Sequence, residues 1–488
     1  MTNPTKPQNS GSMTLSVKSF LSTVAILLSL MMLAGVLTQV LPQGTYERTV
    51  SEAGYEMIVD GSYHVLDNAD KLPVWRWFTA PVEMLGDAQA LTAIVIIVFI
   101  LLVGGTFAIL EKAGVFRCLI AVTIKRFGDK KYVLLCLVTL LCMMLGSTIG
   151  LFEETVPLVP ILVLLALALG WDTLTGIGMS LMAVGFGFAA GTFNPFTVVV
   201  AQKMAELPLF SGLWLRLITF AVVYGMLCCF LVRHAKKVER DPASSPTFAN
   251  DEARRATLTV SAEDELAGNA KVWRAVKVFG ASIALLFAYV FTALMVPALS
   301  DYTMVVMAVL LTAGGLIAGK VSGYTKKGMM KDFLSGMLSM APGALLILLS
   351  MSVRHIMEAG GIMDTILYYA HRLLSGLTPH AAALAVYAIV LFLQFFISSA
   401  ASKAFLILPL IVPLADMVGI SRQSVVFAFC CGDGFTNVFF PTNALLLIVL
   451  GMTGVSYFKW FKWTWLLQLA ALVVTALILL FAVQVGYA

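Results

Sequence analysis

Residues 20 to 40, FLSTVAILLSLMMLAGVLTQV, contain no charged side chain, and apolar runs of similar length recur along the chain. A helix needs roughly 20 apolar residues to span a hydrocarbon core, whereas the strands of a membrane barrel alternate over about ten. Runs of the first kind point to an all-α polytopic membrane protein. Composition agrees: 60% of residues are hydrophobic and 12% charged, and the mean hydropathy is +0.93, too apolar for one water-soluble core. Lys6 and Lys18 precede the first run as in a secretory leader, but the run is too long and lacks a small-residue cleavage pattern, so it reads as a retained helix. The seven cysteines lie in or beside apolar runs, which argues against disulfides and a zinc site. A net charge of +5 gives no support for a nucleic-acid partner, because Lys and Arg in such a chain report orientation.

Glu47, Glu52, Glu56, Asp60, Asp67, Asp70 and Glu83 dominate residues 43–88, which are expected to form an external loop. Arg117, Lys125, Arg126, Lys130 and Lys131, and the Arg and Lys residues from Arg233 to Arg274, mark cytoplasmic loops by the positive-inside rule. This puts the N-terminus inside and the C-terminus outside. The polar stretch 234–275 reads as a flexible cytoplasmic linker between an N-terminal half, 1–233, and a C-terminal half, 276–488.

The halves echo one another. ILEKAGVF at 109–116 matches IMEAGGIM at 356–363, and VPLVPI at 156–161 resembles LPLIVPL at 408–414. An extra helix near 277–298 has no counterpart in the first half and inverts everything after it, so the two repeats are expected to be antiparallel. Glycine, proline and asparagine interrupt matching apolar segments at 173–205 and 423–447, as GFGFAAGTFNPF and GDGFTNVFFPTNA. Inverted repeats with broken helices are the pattern of secondary transporters, where freed backbone groups at the midplane bind ions and substrate. Kinking or close helix packing is the plainer reading of any single glycine.

GSTIGLFEETVP and SSAASKAFLILP sit between apolar arms, over 132–169 and 381–418. Each polar middle is either the tip of a re-entrant hairpin or a short loop between two full spans, and both give the same crossing parity. Ionisable groups at bilayer depth are costly and usually functional, which singles out Glu153, Glu154, Lys403 and Asp433. Helix capping for the acids and snorkelling for Lys403 are the alternatives. Thr192, Asn194, Thr436, Asn437, Thr442 and Asn443 offer neutral oxygens and amides for a cation or a carboxylate, or serve as interhelical glue.

GLFEETVPLVPI, GWDTLTG, NPFTVVVAQ, LPLIVPLADMVGISRQSVV and GDGFTNVFFPTNA resemble the YfcC branch of the four-carbon dicarboxylate anaerobic carrier family, within the ion transporter superfamily. The similarity extends over nearly the whole chain. It implies a secondary carrier of carboxylates or amino acids, in the YfcC branch an antiporter of basic amino acids such as arginine and ornithine. It further implies two inverted repeats in an elevator-type homodimer of the bacterial inner membrane, with no cofactor and with sodium or protons as coupling ion. By matching motif it assigns Ser147, Thr148, Glu153, Glu154, Ser398, Ser399, Ser402 and Lys403 to the hairpins. Thr192, Asn194, Pro195, Asp433, Thr436, Asn437 and Thr442 fall to the broken helices, with a sodium site expected near Asn194 and Asn437. Lys403 departs from the family, whose members often carry a neutral residue there, and a fixed ammonium can occupy the place of a bound cation.

A pocket holding Glu153, Glu154 and Asp433 against one Lys403 would be net acidic, which disfavours a dianion unless cations accompany it and leaves the carrier of basic amino acids implied by the resemblance as the leading expectation. A dicarboxylate carrier is the alternative, with sodium ions or protons neutralising those acids. A channel would show a filter-like loop or charge-lined helices, and an enzyme a nucleophile with its base or clustered metal ligands at depth; the sequence shows neither.

Overall fold

In hydrocarbon a backbone N–H finds no partner except a carbonyl of its own helix, so long uncharged stretches become helices. The computed structural model describes residues 17–50, 56–59, 61–66, 70–86, 90–116, 118, 130–258, 270–296, 299, 302–374 and 376–487. The expectations placed on Lys6, Glu52, Asp60, Asp67, Arg117, Lys125 and Arg126 lie outside these residues.

The order opens with α1 (Val17–Val40), β1 (Gly44–Thr45), β2 (Arg48–Val50), β3 (Glu56–Ile58), β4 (His64–Val65), α2 (Arg76–Glu83), α3 (Ala90–Lys112) and α4 (Lys131–Met144). It continues with α5 (Leu158–Ala168), α6 (Thr173–Ile177), α7 (Ala183–Ala189), α8 (Val200–Met204), α9 (Leu213–Arg240), α10 (Phe248–Leu258) and α11 (Ala270–Met295). The rest is α12 (Thr303–Val321), α13 (Lys326–Ala359), α14 (Met363–Leu374), α15 (Pro379–Gln394), α16 (Ala400–Val418), α17 (Arg422–Gly434), α18 (Ala444–Thr453) and α19 (Tyr457–Gln484). Among the described residues, nine helices are long and apolar enough to cross a membrane. Leu338, Leu466 and Leu477 turn outward with more than half their surface exposed, as lipid-facing side chains do.

Two groups of helices follow from the packing. α1, α3, α11, α12 and α13 contact one another in the first. Where α3 crosses α13, a Cβ on Gly336 would lie 2.4 Å from the Gly104 carbonyl oxygen, a backbone approach that only small residues allow. The second group gathers α4 to α9 with α15 to α19, and its central helix α17 touches α7, α15, α16 and α19. The groups meet at α13 and α18, where Ser350 Oγ donates to the Thr442 carbonyl (2.6 Å).

Two regions differ from a plain reading as loops. Residues 43–88 carry two antiparallel pairs, with Thr45 opposite His64 and Thr49 opposite Met57. They dock on the second half through Arg48 Nη2 to Asp364 (2.8 Å) and Tyr46 N to Asp364 Oδ2 (3.0 Å). The expected flexible linker does not hold over 241–258. There α10 is fastened by Thr173 N donating to Asp251 Oδ2 (3.0 Å) and by Arg254 Nη2 donating to the Thr453 carbonyl (2.7 Å). Prolines and serines break α9 but do not prevent a short helix with its own polar contacts from following.

Candidate functional site

The second-half constellation is built by the end of α17 and the start of α16. The helical ladder stops after Val438, because Pro441 has no N–H to continue it, and restarts at α18 with Asn443 as its cap. Asn443 Oδ1 accepts from Leu445 N (3.0 Å), and its amide donates to Asn437 Oδ1 (2.9 Å). The Gln394 amide also donates to Asn437 Oδ1, and Asn437 Nδ2 donates to the Asp433 carbonyl (3.3 Å). Lys403 Nζ donates to Gln394 Oε1 and to Asp433 Oδ1, the latter at 2.5 Å. Both charged side chains are fully buried, so each is the other's substitute for water. Asp433 Oδ2 and Thr436 Oγ1 are buried without a hydrogen-bond partner among the described residues.

In the first half the helix stops at Ala189 and restarts at Pro195, whose ring suits the first helical position. Asn194 caps this restart: its Oδ1 accepts from Phe196 N (2.9 Å) and Thr197 N (3.3 Å), while its amide donates to the Gly146 carbonyl (3.1 Å). Ser147 Oγ donates to the Ala190 carbonyl (2.8 Å), and Thr192 N donates to the Ser147 carbonyl (2.9 Å). Gly150 has φ +74°, and a Cβ there would lie 2.6 Å from Asn194 Oδ1, so glycine is needed for both reasons. The broken segments of the two halves cross directly, with Gly185 against Val438 and Gly434 against the Ala189 backbone.

The remaining candidates divide. Glu153 and Glu154 stand in a 3₁₀ turn that touches α12 of the other helix group. Glu153 is exposed and Glu154 half-buried, so both side chains keep accessible surface. Glu154 Oε2 accepts from Phe152 N (3.1 Å), and no cation pairs with either acid among the described residues. Lys403 therefore meets Asp433 and neither of these glutamates. Ser399 caps α16 by accepting from Ser402 N (3.3 Å), beside an exposed Ser398. Thr148 Oγ1 is spent on the Met144 carbonyl (2.7 Å), and Thr442 takes part through its carbonyl. The amide oxygens of Asn194 and Asn437 each accept two N–H donors already, which leaves them poorly placed to coordinate sodium in this conformation.

Residues 20–484 match the C4-dicarboxylate anaerobic carrier family. The chain belongs to that family. A Haemophilus influenzae protein of uncharacterised function is 28% identical over 482 residues, covering 91% of this chain and 93% of the relative. The Escherichia coli protein named "Putative basic amino acid antiporter YfcC" is 29% identical over 378 residues, 76% of this chain and 74% of its own. Among solved structures, the Alcanivorax borkumensis YdaH transporter covers 96% of this chain and 98% of its own at 18% identity and a TM-score of 0.41. Neisseria gonorrhoeae MtrF, described with a class of antimetabolite efflux pumps, covers 96% and 95% at 16% identity and a TM-score of 0.43. Membership of a membrane transporter family agrees with the nine helices long and apolar enough to span among the described residues.

Sequence reasoning missed Gln394, although a lone glutamine inside the apolar run VLFLQFF was a visible signal. It also missed a second polar cluster. His234 pairs through Nε2 with Asp172 Oδ2 (2.8 Å) and receives a bond from Trp463 Nε1 at Nδ1 (3.1 Å). Asp172 caps α6 through Thr175 N (2.8 Å) and accepts from Ser245 Oγ (2.7 Å). Burial pushes the Asp172 carboxyl up, but the bonds from His234, Thr175 and Ser245 outweigh it and hold it below the usual carboxylate range. Apart from the Thr175 cap, these contacts join residues 62 to 229 positions apart, which no local pattern announces.

Proposed function

We propose that the protein is a secondary active transporter of small amino acids, basic ones such as arginine and ornithine, working by exchange or ion coupling through alternating access. One observation carries this reading. Glu153 and Glu154 keep accessible surface in a turn that touches α12 of the other helix group and have no cationic partner among the described residues, while the buried Lys403 is neutralised by Asp433. Unpaired carboxylates at membrane depth attract a cationic group, and the positive N-terminal end of α16, where Ser399 takes only Ser402 N, favours an α-carboxylate. The name borne by the Escherichia coli relative points the same way.

The wider architecture in this reading is a pair of inverted repeats, each with a re-entrant hairpin and a broken helix, in a homodimer of the bacterial inner membrane with the N-terminus inside. The short lengths of α5 and α18, 11 and 10 residues, support it, since neither can span about 30 Å alone. A dicarboxylate substrate is the second reading. It is favoured by the description of the matched family as a C4-dicarboxylate anaerobic carrier. Vesicles preloaded with ornithine or succinate and offered labelled arginine or fumarate separate the two. Exchange of arginine for ornithine alone supports the first; exchange of fumarate for succinate alone replaces it with the second.

A further inference from the structure

An open groove of about 690 Å³ runs between α9 and α19, away from every residue assigned to transport above. Met226, Phe230 and Leu466 form its apolar part; Arg233, His234 and Lys237 stand together at one end. The His234 ring is already held by Trp463 and Asp172, so the available positive charge is that of Arg233 and Lys237. Both are exposed, and no carboxylate pairs with either among the described residues. Neighbouring charge is engaged elsewhere: Glu239 is taken by Lys131 and Tyr132, and Lys236 lies over the Tyr132 ring at 5.2 Å.

The groove continues outward into a lipid-facing surface. Leu466 is 60% exposed, and Leu469 and Val473 follow it along α19, so the occupant must tolerate hydrocarbon along its length. A soluble anion would fit the cations and leave the apolar floor uncovered; a neutral lipid would cover the floor and leave two cations without counter-charge. We propose that the groove binds an anionic phospholipid, its phosphodiester between Arg233 and Lys237 and one acyl chain along Met226, Phe230 and Leu466. The site requires only that the chain resides in a membrane and holds in whichever leaflet its basic end lies. Gly225 marks the groove floor, since an added Cβ there meets no atom within 4 Å.

Native mass spectrometry of the full-length protein in detergent, titrated with phosphatidylglycerol or phosphatidylcholine, tests this. The expected result is retention of phosphatidylglycerol with roughly tenfold preference, reduced to the phosphatidylcholine level by Arg233→Gln with Lys237→Gln. Gly225→Phe, which fills the groove and leaves its charges in place, is expected to lower phosphatidylglycerol retention as well, and it keeps the test decisive if the double variant fails to fold. Equal retention of the two lipids by the parent protein overturns the proposal, as does unchanged phosphatidylglycerol retention in Gly225→Phe. A dimer lost on Gly225→Phe with lipid retention unaffected would instead give the groove to a second copy of the chain.

Discussion

Lys403 Nζ lies 2.5 Å from Asp433 Oδ1, and neither side chain keeps accessible surface. Removing one partner strands the other charge, at a cost of about 3–5 kcal/mol for a buried pair. Lys403→Gln and Asp433→Asn are therefore each expected to lower thermal stability in detergent clearly. The double variant Lys403→Met with Asp433→Leu should recover most of that stability and still fail to transport, because it restores packing without restoring charge. Single variants as stable as the parent would show that the pair contributes nothing to the fold.

The same pair bears on coupling. An ammonium held against Asp433 already supplies that carboxylate with a positive charge, and the amide oxygens of Asn194 and Asn437 are already filled by N–H donors. Transport is expected to proceed equally in sodium and choline buffers. Strict sodium dependence in reconstituted vesicles would remove this account of Lys403.

Glu153 and Glu154 make no ion pair among the described residues, so their neutral amides should leave the fold intact. Glu153→Gln and Glu154→Gln are expected to keep membrane expression and melting temperature while uptake of a basic amino acid falls tenfold or more, the effect of losing a charge-assisted contact of about 1.5–3 kcal/mol. Normal uptake by both variants would separate the acids from substrate binding.

Gly434 packs so tightly that a Cβ would sit 2.2 Å from Ala189 Cα. Backbone cannot yield as a flexible side chain can, so Gly434→Ala should cost about 1–3 kcal/mol by overpacking. A melting temperature equal to the parent's would mean that the crossing of the two broken segments is looser than this geometry.

The helical membrane class was legible because hydrocarbon imposes one rule on every span, and that rule is written locally in runs such as 20–40. Asn194, Pro195, Pro441 and Asn443 were informative for a similar reason: caps and prolines act on their own helix ends. Pairings were not legible. That Lys403 meets Asp433 through a shared Gln394, and not Glu153 or Glu154, depends on how helices pack across the chain. The fastening of α10 was hidden likewise, since a polar, proline-containing segment looks the same whether its side chains find water or Asp172, Thr173 and Thr453.

Asp172 gives that fastening a pH dependence. Burial alone would raise its carboxyl, yet His234, Thr175 and Ser245 hold it below the usual value of about 3.9. A folded-state pKa below the unfolded one means the stabilisation is complete above the unfolded value and is lost as pH falls through the folded one. Asp251 on α10 is pushed the other way by burial, so its contribution grows on acidification and opposes the trend. Hydrogen exchange at residues 248–258, corrected for intrinsic rates, should therefore show protection that is steady near neutrality and falls below about pH 4. In Asp172→Asn the cap keeps its shape but loses its charge, so protection should be weaker at neutral pH and its acid decline should disappear, leaving only the opposite slope from Asp251. Protection in the parent that is flat down to pH values well below 4, or an acid decline that survives in Asp172→Asn, would assign the docking of α10 to its arginines instead.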